Sequence, residues 1–359
     1  MINRIIIYIM VISMAFSAID RMFGNKMGYG KKFEDGFYAM GTLALGMGGV
    51  MVSSNLIGKA ITSSIGVFFK IFNADPCMAG SLFLSIDTGG YTLAHQLQPF
   101  NNDIANYSSI ILGSMMGPTI AFNIPVCLGM IDPADRKYMA LGTMSGIICI
   151  PFACLIGGIV AGFDLKMIFV NILPVILFSC LLAVGLSLFP GGMMSGFAKF
   201  AKIILIYLSF FLALSIIQEL TPVHVITLEP LSDVWNTIGR IAIILAGAYP
   251  LVHFLTDKFS KSLNRLGKKI GINSFSVTGL LACLANSVPS FALLKDMNDK
   301  GKVINVAFAC CASFALGDHL GFCASFEPDM ILPMVAAKLT GGILSILCAS
   351  FFCKRYHIT

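Results

Sequence analysis

The chain has 359 residues, of which 57% are hydrophobic and only 12% are charged, and its mean hydropathy is +0.86. Soluble domains carry about twice that share of charge, so a disordered chain, a secreted disulfide scaffold and an ordinary cytosolic enzyme are excluded. The net charge of +6 does not indicate nucleic-acid binding, because the basic residues lie between apolar runs. This composition predicts an all-α polytopic membrane protein.

A membrane-spanning helix needs about 20 predominantly apolar residues. The runs that meet this requirement are, in chain order, 4–20, 36–58, 105–131, 137–162, 166–189, 197–219, 234–256, 303–325 and 330–352. Two further apolar stretches, 77–97 and 275–297, are interrupted by Asp87-Thr88-Gly89-Gly90 and by Asn286-Ser287-Val288-Pro289. Each of these two is either a span or a hairpin that enters the membrane and returns to the same side.

Loop charge orients the spans, since Lys and Arg accumulate in cytoplasmic loops. Loops 21–35, 257–274 and 295–302 are rich in Lys and Arg, whereas 220–233 and 326–329 carry acidic residues and neither Lys nor Arg. Both ends of the second interrupted stretch then face the cytoplasm, so it is expected to re-enter rather than to cross. We predict nine crossings and two re-entrant hairpins that open to opposite sides, with the N-terminus outside and the C-terminus cytoplasmic.

The two halves of the sequence match at an offset of about 199–200 residues. Asp87-Thr88-Gly89 aligns with Asn286-Ser287-Val288, and Gly117-Pro118-Thr119 aligns with Gly317-Asp318-His319. Inverted repeats with broken helices at matching positions are typical of transporters, and a chance match among glycine-rich helices is the alternative. The predicted organisation is repeat A (1–165, with hairpin 77–97 and broken helix 105–131), a linking span (166–196) and repeat B (197–359, with hairpin 275–297 and broken helix 303–325).

The polar interruptions in both hairpins and both broken helices are predicted to be unwound. Non-helical backbone inside a bilayer is tolerated only where it is buried or lines a cavity, so we expect the four interruptions to meet near mid-membrane. Asp318 carries the strongest signal, because an ionisable group at that depth costs about 2.5–3.5 kcal/mol on insertion scales. The alternative for Asp318 is a carboxylate that caps a local helix break.

The residues expected to bind a substrate share a polar side chain at or beside these interruptions. They are Ser85, Asp87, Thr88, Thr119, Asn123, Asn286, Asp318 and His319. For Asp87 the alternative is an N-cap of the second hairpin arm, and for His319 it is a neutral donor that fixes the neighbouring acid. For the two asparagines the alternative is a hydrogen bond between helices.

The sequence contains no catalytic or metal-binding motif of the common kinds. G-x-x-x-x-G-K-[ST], H-E-x-x-H and C-x-x-C are all absent, and the eleven cysteines are expected to pack as small hydrophobic residues. We therefore expect no enzyme activity, no cofactor and no metal. The expected partners are a small-molecule substrate and the lipid bilayer, without nucleic acid, and a homo-oligomer is left open.

Several runs resemble the bacterial ethanolamine-utilisation permease family, EutH. They are 111–120 (ILGSMMGPTI), 132–138 (DPADRKY), 247–250 (GAYP), 301–305 (GKVIN) and 314–322 (FALGDHLGF). The resemblance covers nearly the whole chain and implies a multi-pass protein of the bacterial inner membrane that passes ethanolamine. The arrangement of hairpins and broken helices is also similar to that of concentrative nucleoside transporters, which is a likeness of fold alone.

Ethanolamine carries a cationic amine at neutral pH, for which Asp87 and Asp318 are the best mid-membrane partners. We therefore predict alternating access around a site between the hairpin tips. A gradient-coupled transporter of another small solute, such as a nucleoside or another amine, is one alternative, and competition for uptake separates it. A membrane assembly or signalling component that does not transport is the other, and it predicts no saturable flux.

Overall fold

The structure, a computed structural model, describes residues 2–358, except for the side chains of Ile2, Lys59, Thr62, Ser260 and Lys261. The predicted repeats begin at Met1 and end at Thr359, and these two residues lie outside the described range. Within residues 2–358 every regular element is a helix and no β-strand occurs.

The first half of the chain is helical over most of its length. Its α-helices are α1 (Ile2–Met22), α2 (Tyr29–Val52), α3 (Ser54–Ser63), α4 (Ile65–Ile71), α5 (Cys77–Gly80), α6 (Tyr91–Leu97), α7 (Asn102–Asn106), α8 (Met116–Pro118), α9 (Ile124–Met130) and α10 (Arg136–Ala161). Two π-helical segments, Tyr107–Leu112 and Thr119–Asn123, lie between α7 and α9. Helix α10 ends where Gly162 adopts a φ of 76°, a conformation that glycine accepts without steric cost.

The second half contains the longer helices. They are α11 (Leu165–Leu188), α12 (Pro190–Leu220), α13 (Leu231–Ile270), α14 (Ser274–Ala285), α15 (Ser287–Ala292), α16 (Asp299–Ala312), α17 (Asp318–Phe326) and α18 (Ile331–Arg355). Asp164 starts α11 as an N-cap, since its Oδ1 accepts the N–H of Met167 at 2.9 Å. Pro190 occupies the first turn of α12, where a missing N–H has little cost.

In the described part of the chain, seven helical segments are long and apolar enough to cross a membrane. They correspond to the predicted spans 4–20, 105–131, 137–162, 166–189, 197–219, 234–256 and 330–352. The prediction of a multi-pass, all-helical membrane protein is confirmed at this level.

The other two predicted spans are not continuous apolar helices of that length. The run 36–58 falls on α2, which ends at Val52 and is rich in glycine, a residue that contributes little hydropathy. The run 303–325 is divided between two helices, because α16 ends at Ala312 and α17 begins at Asp318.

Both interrupted stretches fold back on themselves as hairpins. At the base of the first, Gln98 Nε2 donates to Asp75 Oδ2 at 2.5 Å. At the base of the second, Asn273 Nδ2 donates to the carbonyl oxygen of Asp296 at 2.8 Å. The two ends of each stretch are thus hydrogen-bonded to each other, and re-entry of the two hairpins into the membrane stays a prediction.

Helix α16 forms the centre of the bundle. All residues from Gly301 to Ala312 are buried, and the helix packs against α10 and α18. A helix that is covered on every side has no need of a polar face. This burial fixes the position of the non-helical connection 313–317, which leads into α17.

Two close contacts of glycines have equivalent positions in the two halves of the chain. A Cβ at Gly247 on α13 would lie 2.4 Å from the Met10 carbonyl oxygen on α1. A Cβ at Gly49 on α2 would lie 2.1 Å from the Leu208 carbonyl oxygen on α12. Met10 and Leu208 are 198 residues apart in the chain, and so are Gly49 and Gly247. Exchanged contacts of this kind are expected of twofold-related repeats, and the predicted repeat boundaries stay a prediction.

Candidate functional site

A cavity of about 200 Å³ lies where the two hairpin tips meet α2 and two interrupted helices. The interrupted helices are the predicted broken helices, 105–131 and 303–325. Six of the eight predicted substrate-binding residues line it, namely Ser85, Asp87, Thr88, Asn286, Asp318 and His319. The rest of the lining is mainly apolar and consists of Thr42, Leu43, Gly46, Met47, Pro118, Phe122, Val288 and Phe314. Segments that are far apart in the sequence therefore form one polar site.

The first hairpin tip, residues 85–90, is bent at Thr88 and Gly89. Thr88 has φ −104° and ψ 35°, and Gly89 has a φ of 90°, which lies in the left-handed region that favours glycine. The N–H of Ser85 donates to Thr88 Oγ1 at 2.9 Å and closes the tip locally. This bend places Asp87 on the cavity wall.

The second hairpin tip is broken by a single extended residue. Asn286 has φ −156° and ψ 137° between α14 and α15, and its Oδ1 accepts the N–H of Val288 at 2.9 Å. This bond makes Asn286 the N-cap of α15, a position in which asparagine is among the most favourable residues. Asn286 therefore has a structural role as well as a place on the cavity wall.

Main-chain hydrogen bonds join each hairpin tip to an interrupted helix. The N–H of Ile86 donates to the Gly113 carbonyl oxygen at 3.0 Å, and the N–H of Leu316 donates to the Leu284 carbonyl oxygen at 2.8 Å. An unwound helix leaves amide and carbonyl groups without their usual partners, which is costly away from water. These bonds supply the missing partners, so each break is held open by the tip beside it.

A glycine of each interrupted helix rests directly on the backbone of the tip. A Cβ at Gly117 would lie 2.3 Å from the Leu84 carbonyl oxygen, and a Cβ at Gly317 would lie 2.0 Å from the Ala285 carbonyl oxygen. Neither position has room for a side chain. The close approach of helix and tip therefore depends on glycine at both places.

Asp318 begins α17 and reaches the cavity with a single protein donor close to it. The hydroxyl group of Tyr249 on α13 donates to Asp318 Oδ1 at 2.7 Å. Within the described residues, no Lys, Arg or His nitrogen lies within 4.0 Å of this carboxylate. A carboxylate that is withdrawn from water without a cation beside it favours a cationic ligand.

Asp87 has a different environment, because His319 stands next to it. His319 Nε2 lies 3.1 Å from Ser85 Oγ and 3.6 Å from Asp87 Oδ1. Asp87 Oδ1 is buried and makes no hydrogen bond to any residue in the described range. A buried acceptor without a donor costs about 1–3 kcal/mol, so a donor from a ligand would be stabilised here.

The rest of the cavity wall suits a small molecule with one apolar side. The rings of Phe122 and Phe314 meet edge to face, with centroids 5.6 Å apart, and the ring of Phe314 lies 5.1 Å from that of His319. Aromatic faces attract cations when water is excluded. The site can therefore hold a small cation beside a carboxylate while aromatic rings cover the hydrocarbon part of the cation.

Comparison with known proteins places this chain among membrane permeases. A family model described as "Ethanolamine utilisation protein, EutH" matches residues 2–352. The chain belongs to the EutH family. No solved structure matches it, so the predicted likeness to concentrative nucleoside transporters stays a prediction.

The relatives of this EutH-family chain match it over nearly its whole length. It is 45% identical to a Listeria monocytogenes protein named "Probable ethanolamine permease EutH", over 99% of this chain and 95% of that protein. An Escherichia coli protein of the same name is 39% identical, over 100% of this chain and 97% of its own length. A Bacillus subtilis protein named "Uncharacterized protein YxeR" is 38% identical, over 98% of this chain and 95% of its own length.

Lys338 lies behind the cavity wall, next to His319, and the sequence analysis did not predict it. It is fully buried in α18, its Nζ lies 3.1 Å from His319 Nδ1, and it donates to the Ser114 carbonyl oxygen. The sequence carried a signal for it, since Lys338 is the one charged residue of the run 330–352, and ionisable groups inside spans are functional by default. Tyr249 belongs to the run 247–250 that resembles the family, but the contact of its hydroxyl group with Asp318 was not predicted.

The other two predicted residues, Thr119 and Asn123, lie outside the cavity lining. Thr119 Oγ1 donates to the Cys310 carbonyl oxygen at 2.8 Å. Asn123 Nδ2 donates to the Ala309 carbonyl oxygen at 3.0 Å, and its Oδ1 accepts a bond from Ser287 Oγ at 2.7 Å. Both side chains are buried and join the first interrupted helix to α16 and to the second tip.

The breaks in the two helices lie a few residues before the predicted positions. In the first helix the non-helical turn covers 113–115, while Gly117 and Pro118 belong to α8 and Thr119 begins a π-helical segment. In the second helix the break covers 313–317, and Asp318 and His319 form the first turn of α17. Both breaks include a residue that is bonded through its main chain to the tip beside it, and a tertiary bond of this kind leaves no local pattern in the sequence.

Proposed function

We propose that this protein is a membrane transporter that carries ethanolamine through the cavity between its hairpin tips. The observation that carries the proposal is the cavity with Asp87 and Asp318 on its wall, enclosed by apolar membrane-spanning helices. Membership of the EutH family supports it, because relatives of nearly full length are named ethanolamine permeases. Permeases transport rather than catalyse, which agrees with the expected absence of enzyme activity.

Both ends of ethanolamine, the ammonium group and the hydroxyl group, find suitable partners on the cavity wall. Its ammonium group is placed beside the carboxylate of Asp318. Its hydroxyl group is placed toward the polar groups of the tips, where Ser85, Thr88 and Asn286 lie. The short hydrocarbon part is covered by Phe122.

The finer architecture belongs to the same proposal. Each hairpin returns to the side from which it enters, which its hydrogen-bonded base supports, and the two hairpins open to opposite sides, as the loop charges predict. The chain comprises repeat A (1–165), a linking span (166–196) and an inverted repeat B (197–359). The protein lies in the bacterial inner membrane with its N-terminus outside and its C-terminus cytoplasmic. Alternating access is achieved by movement of the bundle that bears the hairpins.

The test is uptake of labelled ethanolamine into proteoliposomes, with and without an imposed proton or sodium gradient. Saturable entry that only equilibrates indicates a facilitator, and accumulation under one gradient indicates a coupled carrier. An excess of unlabelled ethanolamine should compete, while nucleosides and amino acids should not. Absence of saturable entry contradicts the proposal, and effective competition by nucleosides assigns a different substrate.

Neutral variants test the site itself. Asp318→Asn keeps the size of the side chain and removes its charge, so uptake at low ethanolamine should fall at least tenfold, or about 1.4 kcal/mol. Asp103→Asn is the matched control, because Asp103 is exposed at the start of α7 and lies outside the cavity. Normal uptake by Asp318→Asn, at equal amounts of folded protein, contradicts the assigned site.

A further inference from the structure

We call each hairpin together with its interrupted helix a hairpin unit. Lys338 is a buried cation that contacts both units, at Ser114 in the first and at His319 in the second. Its side chain is fully buried, although an ammonium group in such a place is costly unless it is paired or hydrogen-bonded. One partner is the carbonyl oxygen of Ser114 in the first helix break. Pro118 lies four residues later and has no N–H, so this carbonyl lacks its usual helical donor and Lys338 supplies one.

The second partner of Lys338 is a histidine that leads to a carboxylate. Lys338 Nζ lies 3.1 Å from His319 Nδ1. An ammonium group can only donate, so Nδ1 is the acceptor and the neutral ring carries its proton on Nε2. That nitrogen lies 3.1 Å from Ser85 Oγ and 3.6 Å from Asp87 Oδ1. Neighbouring polar groups therefore lead from Lys338 to Asp87, and the last step, 3.6 Å to Asp87 Oδ1, is longer than a hydrogen bond.

Asp318 is not on this line, although its neighbour in the chain is. The hydroxyl group of Tyr249 is its protein donor, and among the described residues no cation lies within 4.0 Å of it. The two acids of the cavity thus differ in one respect. Among the described residues neither carboxylate has a Lys or Arg nitrogen within 4.0 Å, but Asp87 lies 3.6 Å from the histidine that contacts Lys338, whereas Asp318 has a neutral tyrosine donor.

We infer that Lys338 is the permanent counter-cation of Asp87, acting through His319, and that Asp318 is the carboxylate that takes the substrate's ammonium group. The second half of this inference rests on the proposed function. Two carboxylates and one ammonium group leave one negative charge in the site. One monovalent substrate cation balances that charge, so binding requires no sodium ion beside the substrate.

The pairing is tested first without any substrate. Lys338→Met and Asp87→Asn are each expected to lower the thermal unfolding midpoint of the purified protein by about 5–10 °C, because each leaves one buried charge unbalanced. The double variant should regain at least half of that loss, since neutral replacement of a whole pair is well tolerated. The matched control, Lys338→Met with Asp318→Asn, should show no such recovery.

Equal recovery with either acid, or recovery with neither, overturns the assignment of Asp87 as the partner. If Lys338→Met alone gives no folded protein, the two double variants are compared with each other. Folded protein from the Asp87 double variant only supports the pair. Folded protein from both double variants, or from neither, contradicts it.

The substrate half is tested by binding of labelled ethanolamine to the same purified variants. Asp318→Asn should weaken binding at least thirtyfold, and by more than the Asp87→Asn, Lys338→Met double variant does. Replacing sodium by potassium should leave affinity unchanged. A sodium requirement, or equal losses in the two variants, contradicts this half. If the unmodified protein fails to bind ethanolamine, the proposed function fails, and the substrate-free unfolding experiment still decides the pairing.

Discussion

The two hairpin units use the same backbone arrangement but carry different side chains. In each unit a tip is bonded through its main chain to an interrupted helix, and a glycine of that helix, Gly117 or Gly317, rests on a tip carbonyl oxygen. In the first unit the acid is on the tip, as Asp87. In the second unit the tip carries Asn286, and the acid, Asp318, starts the helix.

This difference shows that the backbone arrangement answers to the membrane and that the charged side chains answer to the ligand. Backbone groups that are unwound in an apolar environment must find partners, so both units solve that problem in the same way. The chemistry of the cavity is under no such constraint, so charge is free to lie on the tip in one unit and on the helix in the other.

The largest expected effect is on the shared backbone arrangement. Gly117→Ala and Gly317→Ala each force a Cβ to within 2.3 Å or less of a carbonyl oxygen, so each should destabilise the protein by about 3 kcal/mol or more. Thermal unfolding of the purified protein measures this. Gly41→Ala is the control, because a Cβ there meets nothing within 4 Å. If only one of the two variants is damaged, the units are not equivalent.

A smaller effect is expected where the first unit holds the second. Asn123 is bonded to the Ala309 carbonyl oxygen and to Ser287 on the second tip. Asn123→Leu leaves these groups unpaired and should cost about 2 kcal/mol of stability. Asn102→Leu on the exposed start of α7 is the control. Unchanged thermal unfolding of Asn123→Leu would show that the tips are held independently.

An acid on the second tip as well would make the two hairpin units more alike. Asn286→Asp should keep the fold, because aspartate caps a helix as well as asparagine does, and it adds a negative charge to the cavity wall. Ethanolamine should bind about tenfold more tightly, or about 1.4 kcal/mol, and its release should be slower. Equilibrium binding and efflux from proteoliposomes measure the two effects. Unchanged affinity would mean that the second tip does not contact the substrate's cation.

Losses of stability smaller than those at the glycines and at Asn123 are expected at the hairpin bases. Gln98→Ala removes one partly exposed hydrogen bond to Asp75 and should cost at most about 1 kcal/mol. Asn273→Ala removes the bond to Asp296 and also the N-cap of α14, which accepts the N–H of Ser276, and should cost about 1–2 kcal/mol. Thermal unfolding ranks the two variants, and the opposite order would argue against the cap as the stronger element.

Much of the fold and most of the cavity could be predicted from apolar length and polar interruption alone. The polar residues of the two tips, Asp87 among them, and Asp318 all interrupt apolar runs. Such an interruption is visible in the sequence whatever the helices pack against. Lys338 was missed because one lysine barely lowers the apolarity of a long run.

The orientation of Thr119 and Asn123 could not be read from the sequence. Each π-helical segment adds a residue to a turn, which rotates the following side chains by about 100° from their α-helical positions. One such segment, Tyr107–Leu112, and the non-helical turn 113–115 both precede Thr119 and Asn123. Ordinary helical periodicity therefore places these side chains on the wrong face.

The main-chain bonds at the tips also limit how the protein can move. A hairpin that opened alone, as a flap, would break the bond from Ile86 to Gly113 or the bond from Leu316 to Leu284, and unpaired backbone groups are costly inside a membrane protein. Only a substitution by proline at a donor position would remove one of these bonds, because proline has no backbone N–H. Each hairpin and its interrupted helix are therefore expected to travel as one body, and the substrate travels between two such bodies.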